Sequence, residues 1–145
     1  MQPGFQKAVW RVATVEFKNF VLLDTQIFVD YNGDVYVLPR SATSDLCSIP
    51  SALESVIPAN TAAKEGFLHD CAFRNTLQKM DGSLWALTEE QSNDLFERAL
   101  KLNKETSGLI DWDLYHAVEW FGSSSFNEDR AKGTAAFMAD VSSLE

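Results

Sequence analysis

The sequence predicts an α+β fold, and two contrasts along the chain carry that expectation. From about Lys7 to Pro39 it is dense in β-branched and aromatic residues and holds an Asn-Gly pair. From about residue 60 to 122 apolar residues instead recur at helical spacing. Strands first and helices after them define the α+β class: a short N-terminal antiparallel sheet with a hairpin, then three to four helices. The 145 residues suit one domain with one sizeable core, its last part, 123–145, reading as a flexible or weakly helical tail.

The elements follow in order. Val9, Trp10, Val12, Val15 and Phe17, then Phe20 to Leu23 and Ile27 to Val29, read as strands. Asn32-Gly33 between Val29 and Val35 predicts a hairpin with a type I′ turn, whose central residues both need positive φ. A sheet of about three strands results, ended by Pro39. Ser41 to Pro50, rich in Ser, Thr and Asp, reads as a loop whose side chains cap nearby backbone. Asn60 can cap a helix running from about Thr61 to Arg74. Asp81-Gly82 marks a turn. Thr88-Glu89-Glu90-Gln91 is a capping box opening a helix to about Asn103. Leu109 to Phe121 reads as another helix, stopped by Gly122, and Glu128 to Val141 as a weaker last one.

Composition excludes several classes. The formal charge is −9, from 21 acidic and 12 basic residues, with no basic cluster for nucleic acid. No apolar run approaches the roughly 18 residues of a membrane helix, so membrane insertion is not expected. Met1 to Lys7 lacks the basic-then-apolar plan of a signal peptide, so a soluble, unexported protein is expected. Two cysteines, Cys47 and Cys71, are too few for a disulfide scaffold and read as small buried hydrophobes. Trp10, Trp85, Trp112 and Trp120 read as core or interface residues. No phosphate-binding Gly loop and no serine nucleophile elbow occurs.

The stretch Gly66-Phe67-Leu68-His69-Asp70-Cys71-Ala72-Phe73 is where chemistry concentrates. A helix apolar all round belongs in a core, yet this one carries His69 beside Asp70, and buried polar groups need partners. Two readings are open. In one, His69 and Asp70 bond to Asp45, Ser48 and the 44–48 backbone and pin that loop to the helix. In the other they form a catalytic or metal-binding site. His116 and Glu119, one turn apart, read as a surface pair. A metal-dependent His-Asp phosphodiesterase would need a further His before His69, and none exists.

Four pieces in order carry a resemblance: Ser44-Asp45-Leu46-Cys47-Ser48-Ile49-Pro50, Leu68 to Phe73, Asn93-Asp94-Leu95-Phe96, and Leu114 to Gly122. Together they resemble domain-of-unknown-function family 1353, small proteins of bacteriophages and prophages. Ser44, Cys47 and Phe73 stand where that family usually has Thr, Ala and Tyr. The resemblance implies a phage-encoded, non-catalytic accessory protein (a capsid or tail component) of the host cytoplasm or the virion, with other phage structural proteins as partners; no cofactor is expected, calcium being the alternative. A looser similarity of the His-Asp helix to secretory phospholipases implies the alternative, a small esterase- or phospholipase-like hydrolase. There His69 would be the general base, Asp94 the carboxylate orienting it, and Asp70 with Asp45 the ligands of a calcium ion. By helical phase, at about 100° per residue, Asp94 lies roughly 150° from its helix's apolar centre and points to solvent.

Overall fold

The computed structural model describes residues 1–16, 19–44, 63–107 and 126–144. Six short strands come first: β1 (Gly4–Phe5), β2 (Val12–Glu16), β3 (Asn19–Leu22), β4 (Gln26–Val29), β5 (Val35–Leu38) and β6 (Thr43–Ser44). Helices α1 (Ala63–Phe73) and α2 (Glu89–Ser107) follow. Residues 126–132 are helical (α3), and two short 3-10 turns, Thr134–Phe137 and Ser142–Leu144, end the chain. This is the expected α+β class. The strands form two antiparallel three-stranded sheets rather than one, in the orders β1-β4-β5 and β2-β3-β6. The two outer additions, β1 and β6, are two residues long, too short for any alternation to announce them.

The Asn32-Gly33 hairpin joins β4 to β5, with Val29 opposite Val35, but its turn is not type I′. Gly33 is at φ 89° while Asn32 is not among the residues of positive φ. Gly33 N–H bonds Asp30 O, and Asp30 N–H bonds Asp34 O. That is a turn closed by a glycine in the left-handed region, the longer hairpin solution. Asp34 N–H donates to Asn32 Oδ1 at 3.0 Å, and this side-chain contact suits Asn to the turn without positive φ.

One cluster of buried side chains runs from Trp10 through Phe20, Leu22, Phe28 and Leu38 to Phe67, Leu68, Leu95 and Leu102. Helix α1 sits inside it. Every residue from Lys64 to Phe73 is buried except Asp70, which is half-buried, as an apolar surface on all sides requires. The helix ends in a Schellman motif: Asn75 lies at φ 59°, Thr76 N–H bonds Cys71 O, and Asn75 N–H bonds Ala72 O. Arg130 from α3 donates to the last carbonyls, Ala72 O and Phe73 O, both at 3.0 Å, a cation where the helix dipole favours one.

Helix α2 opens on the expected capping box. Gln91 N–H donates to Thr88 Oγ1 at 3.1 Å, and Thr88 N–H to Gln91 Oε1 at 2.9 Å. Ser92, Leu95, Phe96, Ala99, Leu100 and Leu102 form its buried face. The base of the hairpin is fixed to it by Arg98 Nε–H, which donates to the buried Asp30 at 2.8 Å. The last helix, expected from Glu128 to Val141, breaks at Gly133, which adopts φ 81°. The chain beyond it packs back on the second sheet: Ala139 N–H bonds Ser41 O, and Thr43 Oγ1–H bonds Phe137 O at 2.7 Å. The expected Asn60 cap and the Leu109 to Phe121 helix lie outside the described residues.

Thr88→Ala removes one half of a reciprocal pair and should cost about 1 kcal/mol of stability. Chemical denaturation checks this, and Thr88→Ser should restore most of the loss.

Candidate functional site

His69 and Asp70 are consecutive on α1, so about 100° of helical rotation separates their side chains. They therefore reach different elements. His69 faces α2, where its Nε2–H donates to Asn93 Oδ1 at 2.8 Å. Asp70 faces β6 and accepts a 2.5 Å hydrogen bond from Ser44 Oγ–H. The imidazole is packed between Phe73, at 4.1 Å between ring centres, and Phe96, at 5.0 Å. With Nε2 protonated toward Asn93, Nδ1 keeps its lone pair, and this buried atom has no hydrogen-bond partner among the described residues.

His69 is 3% exposed, and burial pulls its pKa from 6.5 to about 4, partly offset by the bond to Asn93. At neutral pH it is an uncharged ring in an apolar slot. Cys71, nearly on the opposite side of the same enclosed helix, is also held neutral, its thiol pushed up to about 12 by burial. A thiol so far from ionisation is no nucleophile.

Asp94 is exposed, as its helical phase indicated, and does not orient His69. The residue that does is its neighbour Asn93. Asn93 precedes Phe96 by three and Leu100 by seven, the same helical stripe, so phase could have found it. A search confined to carboxylates passes over a neutral amide. Ser44, at 0% exposure, is the described member of the loop motif that meets α1. Asp45, Cys47, Ser48, His116, Glu119, Trp112 and Trp120 lie outside the described residues. Trp10 is in the core, and Trp85 stacks on Tyr36 at 4.5 Å while its Nε1–H donates to Val35 O.

Calcium takes six to eight oxygens. Among the described residues no three His, Cys, Asp or Glu side chains gather to hold a metal. Among the described residues no helix is long and apolar enough to cross a membrane. No family model, no curated protein and no solved structure matches the chain.

The depressed His69 pKa fixes a pH dependence. Between about 4 and 6.5 the unfolded chain takes up a proton that the folded one refuses, so His69 favours unfolding as pH falls through that window. The groups facing the ring, Asn93, Phe73 and Phe96, do not titrate. Asp24, Asp81 and Asp140, held below the usual 3.8, act at lower pH. Stability should drop by about 3 kcal/mol from pH 6.5 to 4 through His69 alone. Urea unfolding should show that part of the slope missing in His69→Gln.

Proposed function

We propose that this chain is a phage-encoded accessory protein, a non-catalytic capsid or tail component in which His69 and Asp70 hold elements together. The observation that carries the reading is the partner of the imidazole: His69 bonds to Asn93 on α2, while Asp94, the carboxylate expected to orient it, is exposed and Asp70 bonds to β6. A catalytic His-acid pair needs the carboxylate on the imidazole. Here the imidazole meets a neutral amide and two phenyl rings. The phage setting rests on the resemblance carried by the motifs around Ser44, His69, Asp94 and Gly122.

A second reading, a small hydrolase with His69 as general base, is favoured by one feature. Nδ1 is a buried lone pair with no partner among the described residues, the form of histidine that can accept a proton. Its low basicity and its burial weigh against it.

Asp70→Asn separates the two. On the architectural reading it lowers stability by about 1–3 kcal/mol, because a charge-assisted bond at a buried hydroxyl is weakened. Melting of the metal-stripped protein should then be unmoved by millimolar calcium, magnesium or zinc. A metal-dependent rise that Asp70→Asn abolishes would favour the hydrolase, since a ligand of the native state raises its stability. Stoichiometric recovery of the protein in purified particles tests the virion assignment itself.

A further inference from the structure

Away from His69, a half-open cavity of about 380 Å³ lies between the N-terminal segment and the two long helices. Its size falls within the roughly 300–1,000 Å³ of small-ligand sites. Phe5, Phe28, Ala99 and Leu102 supply apolar wall, and Lys64, 2% exposed, borders it. The contacts of the ammonium locate it. Lys64 Nζ donates to Lys7 O at 2.8 Å and to Ala8 O, and lies 6.0 Å from the centre of the Phe5 ring. Lys7, Ala8 and Phe5 are all wall residues, so the charge itself, and not only the stem of the side chain, stands at the wall.

The two carbonyls use two of the three N–H groups. No described Asp or Glu forms an ion pair with Lys64. Burial pulls its pKa below the usual 10.5, and the charge of Glu65 offsets only part of this. A buried ammonium without an ion-pair partner is costly, and its third N–H restricts what suits the cavity. A wholly apolar ligand would cover that donor without bonding it, and an amine would meet a like charge. Inorganic phosphate would leave the apolar walls uncovered. A monocarboxylate with an apolar chain answers both features: an oxygen takes the third N–H in a charge-assisted bond, and the chain covers the apolar wall.

We propose that this cavity binds a monocarboxylate with an apolar chain, of the medium-chain fatty acid class. Its carboxylate sits at Lys64 Nζ and its chain against Phe5, Phe28 and Leu102. The protein carries a charge of −9 and so has no general attraction for anions; saturable binding of one reports a local cation. The assignment is independent of the virion reading and of His69.

The test is an NMR titration of the full chain with octanoate at neutral pH, followed at the methyl groups of Leu102, Ala99 and Ala8. Saturable shifts at these methyls are expected. Octanol, with the same chain and no charge, and octylamine, with the opposite charge, should each bind at least about tenfold more weakly, since each forfeits the charge-assisted bond. Lys64→Met keeps most of the side chain's bulk and removes its charge, and should bring octanoate down to the affinity of octanol. The comparison of the three ligands uses the unaltered chain and so stands whether or not that variant folds. No saturable shift at these methyls, or equal affinity for octanoate and octanol, overturns the proposal.

Discussion

A helix enclosed on every side has no water to hydrate its polar side chains, so each of them must find a protein partner or destabilise the core. Helix α1 meets this constraint by reaching outward in four directions. Lys64 holds the carbonyls of Lys7 and Ala8 at the N-terminal segment. His69 holds Asn93 on α2, and Asp70 holds Ser44 on β6. Just past the helix, Arg74 donates to Thr43 O at 2.9 Å and lies 3.9 Å from Asp129 on α3. The polar residues of the most buried element thus tie it to each layer around it. Their geometry is specific where apolar contact is tolerant.

In that arrangement the residues that resemble an active site in sequence each meet a different neighbouring element. A buried imidazole with a nearby acid is the starting material of general-base catalysis, but the chemistry depends on which groups touch. Consecutive residues on a helix diverge, so adjacency in sequence separates His69 from Asp70 in space. Burial then removes the charge of His69, and its bond to a neutral amide restores little of it.

Much of the fold was legible where a long pattern or a known turn chemistry existed. The all-round apolar character of α1, the Thr88–Gln91 capping box and the hairpin before Val35 are of that kind. The division into two sheets was not, because it depends on which strands pair, β3 joining β2 and β6 while β4 joins β1 and β5, and strand pattern alone does not set pairing. The turn type was missed because Gly33 alone supplies positive φ. Lys64 and Arg130 were invisible as structural cations, since they bond to backbone carbonyls, which leave no mark in the sequence. At the candidate site, helical phase placed Asp94 correctly in solvent. The same phase puts Asn93 on the stripe of Phe96 and Leu100, and it went unread because a neutral amide carries no charge to single it out.

The central claim is that His69 is a neutral strut, protonated on Nε2 and donating to Asn93. Nitrogen-15 NMR of the imidazole at neutral pH tests this most directly, because the two ring nitrogens report separately which one holds the proton. The account predicts a single neutral tautomer with the proton on Nε2 and Nδ1 bare, unchanged by added calcium or zinc. An imidazolium, a proton on Nδ1, or a shift of the Nδ1 resonance on adding metal would contradict it.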